Sequence, residues 1–299
     1  MTRPRAYLSR CRARPSARAS HTAQCLPLTE DRAPSTALVA KRSLVLLAFA
    51  VSAACKPDPV IWTEPSAHAL IVSPAATHDT STTFQTPLNA CPNSLAIAQM
   101  SGTELFATWW QFDSSGRTQL AVARTSDSGA SWSTTEPADN RDRAGSRCPY
   151  PPPAIAADSA TGYVHLSYFL QTEDGAGVWY RHSMDRGRSW HAATALIFGD
   201  APARSSIGAD GWLLAVAYEA PYAPSRQIWL TLSRDAGHTF ERPSSVTQRS
   251  VLAANPSVWL DGRSISVKWS ERAENAATER IVARDGVVSI DANPTRGSH

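Results

Sequence analysis

The chain has 299 residues, of which 42% are hydrophobic and 18% are charged, so it is long enough to bury a sizeable core. It contains 21 Pro and 10 Trp, a composition that suits a turn-rich β protein and excludes a coiled coil. Residues 1–42 hold nine of the 29 basic residues and two of the 26 acidic ones, which leaves 20 basic and 24 acidic residues in the remainder. This mildly acidic body argues against a nucleic-acid partner, because phosphates are bound by clustered Lys and Arg.

A signal-like segment ends this basic region. Lys41 and Arg42 precede a short, mostly apolar stretch at 43–54, and Cys55 follows two alanines. A positive region, a short apolar stretch and small residues at a cleavage point are typical of a secretory signal, and the stretch is too short to cross a membrane. The Ala-Ala-Cys ending resembles a bacterial lipoprotein signal, which implies lipidation of Cys55, although that family prefers Leu or a similar residue where Ser52 stands.

These features divide the chain into four parts. We expect residues 1–38 to be an over-extended gene-model segment or a disordered one, and residues 39–55 to be the lipoprotein-like signal peptide. Residues 56–89 are then a linker with a possible closing strand, and residues 90–299 the folded body. The expected location is the bacterial cell envelope, periplasmic or on the outer surface, or the extracellular medium. The alternative is an organelle transit peptide, because the first 38 residues are rich in Arg and Ser and poor in acids.

The cysteines agree with export. Cys11 and Cys25 precede the signal, so Cys91 and Cys148 are the two that remain beyond Cys55. Each of the two is followed by Pro and then by an Ala-Ile-Ala segment, which places them at equivalent positions of two successive repeats. A disulfide between them is expected in an oxidising compartment, and the alternative is two free buried thiols.

An internal repeat dominates the rest of the sequence. Residues 125–132, 183–190 and 233–240 share the pattern Ser/Thr-x-Asp-x-Gly-x-Ser/Thr-Trp/Phe, with aspartates 58 and 50 residues apart. In such a turn the Asp accepts hydrogen bonds from local backbone N–H groups and the Gly supplies a positive φ. The aromatic residue is expected to pack between sheets. These structural positions are Asp127, Gly129, Trp132, Asp185, Gly187, Trp190, Asp235, Gly237 and Phe240.

Each motif follows three segments with the composition of β-strands. In the first repeat these are residues 95–98, 105–110 and 120–123, and the next two repeats match them. A fourth unit spans 256–283 and ends in a decayed motif, Arg284-Asp285-Gly286, without the aromatic residue. Four strands in about 50 residues are typical of a β-propeller blade. Residues 60–64 resemble an outermost strand, and we expect them to contact the 264–290 region and cover its open edge.

The triple motif resembles the Asp box of the sialidase and bacterial-neuraminidase-repeat superfamily, over residues 90–290. The resemblance implies an all-β propeller, with about four to five four-stranded blades recognisable here. The motif Asp residues would then be structural and lie on the face opposite the active site. The family's first arginine stands in an Arg-Ile-Pro motif, which this sequence lacks, and 244 residues after Cys55 are few for six blades. Either blades are missing or the chain is a smaller relative.

The resemblance also implies where chemistry would occur. Sialidases use an arginine triad on the substrate carboxylate, a Tyr nucleophile activated by Glu, and an Asp general acid/base; they are an exception to the two-carboxylate scheme. Loops on the expected ligand face supply the catalytic candidates Glu219, Tyr222 and Asp113, and the substrate-binding candidates Arg147, Arg204 and Arg226. The alternative is that these are ordinary polar loop residues, with Arg147 paired to Asp139 or Asp142.

Two functions remain open on this sequence. The first is an exported, sialidase-like propeller that engages glycans, an exo-sialidase if the family's chemistry is present. The second is a non-catalytic surface propeller that binds carbohydrate or protein. No metal or cofactor motif is recognisable, so we expect no cofactor. We also expect a glycan partner, such as a carboxylate-bearing sugar, and a monomer. Trp110, Trp179, Trp212 and Trp229 are expected to pack within sheets and not to bind sugars.

Overall fold

The computed structural model describes residues 59–68, 84–85, 87–133, 136–143, 145, 148, 150–222, 226–248, 251–273 and 278–289. The expected signal peptide, Cys55 and Arg147 therefore lie outside the described residues. Every regular element in the described part is a β-strand. That part also contains no helix with the length and apolarity needed to span a membrane.

The strands form four antiparallel sheets. Two short strands come first, β1 (Val60–Trp62) and β2 (Ser66–His68). Sheet 1 contains β3 (Ala96–Ser101), β4 (Glu104–Phe112), β5 (Thr118–Thr125) and β6 (Glu136–Asp139). Sheet 2 contains β7 (Ala154–Asp158), β8 (Tyr163–Thr172), β9 (Gly175–Ser183) and β10 (Thr194–Phe198). Sheet 3 contains β11 (Ser205–Asp210), β12 (Leu213–Glu219), β13 (Ile228–Ser233) and β14 (Ser244–Ser245). Sheet 4 contains β15 (Val251–Asp261), β16 (Ser264–Ala273) and β17 (Arg280–Val288).

The four sheets are the blades of a β-propeller. In each sheet the strands follow one another in sequence order, and the first strands β3, β7, β11 and β15 contact one another in that succession. No comparable contact joins β3 to β15 within the described ranges. We therefore describe the inner strands as an arc of four blades.

The N-terminal strand completes sheet 4. Val60 pairs with Val288 and Trp62 pairs with Gly286, so β1 is the outermost strand beside β17, and β2 also pairs with β17. The expected contact between residues 60–64 and the 264–290 region is therefore present. The expected decayed turn at 284–286 is absent, because β17 runs through it as one strand. A Cβ at Gly286 would lie 2.7 Å from Val60 Cγ1, so the glycine serves close strand packing and not a turn.

The core lies between successive sheets. The four central residues of β12, 215–218, are completely buried, which shows that both faces of this strand are covered. Burying one Val or Leu side chain contributes about 1.5–3 kcal/mol, so these interfaces are the main source of stability. The large buried side chains include Trp109, Trp110, Tyr168, Tyr180, Tyr218, Phe106, Leu120, Leu166 and Leu230.

The three motif turns have one geometry. Asp127, Asp185 and Asp235 each accept hydrogen bonds from the backbone N–H and the hydroxyl of the Ser or Thr four residues later. The two residues after each Asp have positive φ, and the second is always Gly. At Gly237 a Cβ would overlap the hydroxyl of Tyr180, so only glycine fits there. These aspartates hold turns between third and fourth strands.

A disulfide joins the entries to the first two blades. Cys91 and Cys148, suggested as partners by their matched repeat positions, are bonded with a Cα–Cα distance of 5.5 Å. Cys91 precedes β3 and Cys148 precedes β7. The bond therefore ties together the starts of sheets 1 and 2.

Candidate functional site

Chain topology gives the propeller two different faces. Segments leading into β3, β7, β11 and β15 lie at the same end as the connections between second and third strands, because the strands are antiparallel. We call this end the loop face. The motif turns connect third to fourth strands and so lie at the other end. The five described catalytic and substrate-binding candidates, Asp113, Arg204, Glu219, Tyr222 and Arg226, belong to segments of the loop face.

Glu219 has a positioning role in this structure. The side chain is buried, and its two carboxylate oxygens accept hydrogen bonds from the backbone N–H groups of Arg204, at 3.1 Å, and Asn255, at 2.9 Å. The backbone N–H of Glu219 also donates to the carbonyl of Arg204. Glu219 thus fixes the entry to β11 and the bulge in β15. Its oxygens are occupied by the backbone, which does not support a role in activating a tyrosine.

Tyr222 and Asp113 do not have the surroundings that their proposed roles require. Tyr222 is exposed, and its hydroxyl makes no hydrogen bond to Glu219 or to any other described residue. Asp113 accepts hydrogen bonds from the hydroxyl and N–H of Ser115 and from the N–H of Arg117. The Ser115 hydroxyl and the Arg117 N–H lower the pKa of Asp113 to about 2. A general acid must carry a proton near the working pH, so this geometry favours a turn-forming role.

Most arginines of the loop face are paired with carboxylates. Arg117 pairs with Asp113, and Arg143 pairs with Glu173. Arg141 forms a 2.7 Å ion pair with Asp139 and lies over the ring of Trp179, 4.5 Å from its centroid. The Asp139 carboxylate also accepts a 2.6 Å hydrogen bond from the Tyr168 hydroxyl, so this group is a buried network within the blades.

Arg226 and Arg272 differ from these paired arginines. Both are exposed, and neither has an acidic partner within the described part of the chain. They line one groove of about 260 Å³, together with Leu252, Ala253, Ala254 and Glu279. The backbone carbonyl of Arg226 accepts a hydrogen bond from Ala253, which fixes the approach of sheet 3 to β15. Two guanidinium groups are therefore available to a ligand at the junction of sheets 3 and 4.

Sequence reasoning identified Arg226 but not Arg272. Both lie at the connection between the second and third strands of their sheets. Arg226 stands just before β13, and Arg272 is near the end of β16. This equivalent position in adjacent repeats is the sequence feature from which Arg272 could have been predicted. Arg204, the other described binding candidate, is exposed beside β11 but does not line this groove.

A larger cavity, of about 540 Å³, lies between sheets 3 and 4. Three of its four charged side chains, those of Glu271, Arg280 and Arg284, already have partners. Glu271 accepts hydrogen bonds from the indole N–H of Trp269 and from Arg280, each at 2.7 Å. Arg284 donates to the carbonyls of Thr63 and Val246. These bonds make the cavity wall a structural network, so we place the candidate site at the Arg226–Arg272 groove.

A cluster of histidine side chains lies away from the groove. His182 stacks on His191 with ring centroids 4.6 Å apart, and lies 5.0 Å from His238 and 6.3 Å from His165. In the described ranges, no three His, Cys, Asp or Glu side chains are arranged to hold a metal ion.

Trp110 and Trp179 are buried in the sheets as expected, and Trp229 is half-buried. Trp212 is 62% exposed, because it stands at the tip of the β11–β12 hairpin and not inside a sheet.

Comparison with known proteins finds low similarity to solved structures. No family model matches the chain, and no curated protein sequence matches it. Among solved structures, it is similar to the Hadza microbial sialidase Hz136, with 14% identity and a TM-score of 0.43 over 62% of this chain and 45% of that one. It is also similar to a polysaccharide lyase, a PL25 ulvan lyase, with 11% identity and a TM-score of 0.44 over 65% and 55% of the two chains. A third similar structure is the Trypanosoma rangeli sialidase in complex with sialic acid, with 14% identity and a TM-score of 0.40 over 62% of this chain and 36% of that one. The chain thus spans about half the length of these structures or less, and similarity at this level does not extend to activity.

Proposed function

We propose that this protein is a glycan-binding β-propeller that recognises an acidic sugar through Arg226 and Arg272. The observation that carries the proposal is that one open groove of the loop face holds both guanidinium groups, neither of which has an acidic partner among the described residues. A guanidinium presents planar, paired N–H donors that match the two oxygens of a carboxylate. Two of them on one groove favour a sugar that carries a carboxylate or a sulfate.

The rest of the groove suits a sugar as well. Leu252, Ala253 and Ala254 give it an apolar floor, and Glu279 adds a carboxylate at its rim. A carboxylate accepts hydrogen bonds from hydroxyl groups, which a sugar supplies and a simple anion does not. The apolar floor and the mixed charges therefore favour an acidic sugar over an inorganic anion.

Hydrolysis is the second candidate, and the described geometry favours binding over it. The carboxylates of Glu219 and Asp113 both accept hydrogen bonds within the fold, and no residue that the structure describes is placed to activate Tyr222. Nucleophilic catalysis needs a nucleophile and its base within hydrogen-bond reach. We therefore expect binding without turnover.

Binding and turnover can be separated in one set of assays. Calorimetric titration of the purified chain with sialic acid, glucuronic acid and glucose should show binding of the two acids and not of glucose. Arg226→Gln and Arg272→Gln should each weaken that binding about tenfold or more. Arg188→Gln, a change of an exposed arginine on the opposite face, is the matched control and should have no effect. A fluorogenic sialoside should remain intact.

Equal binding of glucose, or unchanged binding in both groove variants, would contradict the proposal. Release of fluorophore that is lost in Tyr222→Phe would instead favour the sialidase function.

We further propose export with a lipid at Cys55. The support is the order of basic residues, apolar stretch and Ala-Ala-Cys in the sequence. In a bacterial host, expression of the full chain with labelled palmitate should label the wild type and not Cys55→Ser. Mass analysis of the membrane fraction should place the mature N terminus at Cys55, and an unlabelled, unprocessed chain would contradict the proposal.

A further inference from the structure

The groove continues into an open face of sheet 4. Residues 252 and 254 of β15 line the groove and pair with Arg272 and Ser270 of β16. Side chains two residues apart on a strand share a face, so Ser270, Lys268, Ser266 and Ser264 follow Arg272 on that face. Ser270 is buried, whereas Lys268 and Ser264 are exposed. Their partners beyond the β15 bulge are Ser257, Trp259 and Asp261. The opposite side chains of β16, such as Trp269 and Val267, are buried against sheet 3.

This open face has a mixed composition. Trp259 is 59% exposed near its middle. Hydroxyl and charged groups surround the indole: Ser257 and Asp261 on the same strand, Ser266 across from it, and Lys268 and Asp285 beyond. A flat aromatic ring within a polar, hydrogen-bonding surface suits a partner with both apolar and hydroxyl edges. Sugar rings have this chemistry.

Trp259 also shows that the face is not built to receive another blade. Asp158 and Asp210 end the inner strands β7 and β11 and accept hydrogen bonds from the N–H groups of Gly211 and Gly262 in the next sheet. Asp261 is the equivalent residue of β15. The residue two positions before each of these aspartates lies on the side of its strand that faces the next blade.

These positions hold small residues in sheets 2 and 3 and a large one in sheet 4. They are Ala156 in β7, Gly208 in β11 and Trp259 in β15. A Cβ at Gly208 would already lie 3.4 Å from the carbonyl oxygen of Val258 in the next inner strand, so close packing needs a small residue there. An indole at this position prevents such an approach. The last face is therefore a surface for a different kind of partner.

We infer that the acidic sugar held by Arg226 and Arg272 belongs to a polysaccharide chain, which extends from the groove along this open face and stacks on Trp259. The inference rests on the proposed function and adds the size of its ligand. The path from Leu252 to Trp259 covers seven residues of a strand, about 20 Å, which is longer than a single sugar. Lys268 lies along this path and would meet a second acidic unit.

A length series tests the inference. The probes are α2,8-linked oligosialic acids of one, two, four and six units and oligogalacturonic acids of the same lengths, titrated into the full chain by calorimetry. The wild type should bind the hexamer at least tenfold more tightly than the monomer. Trp259→Ala should remove most of this gain and leave monomer affinity unchanged. Trp212→Ala changes an equally exposed tryptophan away from the path and should behave as the wild type.

The outcomes distinguish this inference from the proposed function. If Trp259→Ala keeps the full gain with length, or if the wild type shows no gain, the extended path is wrong although the groove still binds. If the wild type binds no acid of any length, the groove proposal is wrong and the path falls with it. Trp259 is exposed, so its replacement should leave the unfolding midpoint unchanged, and a shared midpoint shows that any affinity loss is local.

Discussion

The carboxylate of Glu219, at the end of β12, accepts a 2.9 Å hydrogen bond from the backbone N–H of Asn255 in the inner strand of the next sheet. Asn255 has a φ of 56°, a left-handed conformation that side chains other than Gly adopt only where the surroundings support it. The same carboxylate holds the N–H of Arg204. One buried acid thus joins two blades directly beneath the loop face.

Replacing Glu219 tests whether it is structural or catalytic. Glu219→Ala leaves the Arg204 and Asn255 N–H groups without their acceptor, and we expect a loss of about 2–3 kcal/mol in the free energy of unfolding in urea. Glu219→Gln keeps one acceptor oxygen and should lose about half as much. An unchanged free energy of unfolding, together with loss of sialoside hydrolysis, would show instead that Glu219 is catalytic.

Stability should fall as the pH falls below about 6.5. Burial, together with the neighbouring histidines, lowers the pKa of His165 to about 3 and that of His182 to about 4, from 6.5. The groups that face them include His191, His238, Tyr163, Tyr180, Asp158 and Asp235. The unfolded chain takes up protons near pH 6.5 and the folded chain does not, so acid favours unfolding.

Urea unfolding at pH 7.5, 6.5, 5.5 and 5.0 measures this effect. The free energy of unfolding should be level above pH 7 and decrease towards pH 5. His182→Phe keeps a stacked ring but cannot be protonated, so its decrease should be smaller. A level profile, or an equal slope in the variant, would contradict the assignment.

The motif turns should affect stability and not binding. Asp235 accepts three hydrogen bonds, from the Ser233 hydroxyl and from the N–H and hydroxyl of Thr239. Asp235→Ala should cost about 1–3 kcal/mol, because the Thr239 N–H loses its partner. Affinity for an acidic sugar should stay unchanged, since this turn lies on the face opposite the groove. A change in affinity without a change in stability would show that the motif face binds ligand.

The disulfide should contribute strongly to stability. The Cys91–Cys148 bond spans 57 residues, and a loop of this length corresponds to about 4 kcal/mol in the chain-entropy account. Thermal unfolding with and without a reductant should show a lower midpoint for the reduced chain. The double variant Cys91→Ser and Cys148→Ser should match the reduced chain and be insensitive to the reductant. Equal midpoints with and without reductant would contradict this contribution.

The repeated motif allowed the fold to be predicted from the sequence, but it gave little information about the candidate site. Asp127, Asp185 and Asp235 recur with the same neighbours, so a local rule of turn chemistry placed them and the strands before them. The surroundings of Glu219 and Asp113 could not be predicted, because a charged loop residue looks the same in sequence whether it faces a ligand or a backbone N–H. Arg272 was missed because its freedom depends on which carboxylates lie nearby, and this is a property of packing between blades.

The most direct measurement of the central claim is a double-mutant cycle on the groove. Sialic acid or glucuronic acid is titrated into the wild type, Arg226→Gln, Arg272→Gln and the double variant, with Arg188→Gln as the control on the opposite face. If both guanidinium groups bind the same carboxylate, each single change should weaken binding about tenfold or more, and the double change should weaken it by less than the product of the two. Strictly multiplicative effects, or none, would contradict recognition of one acidic sugar by this pair.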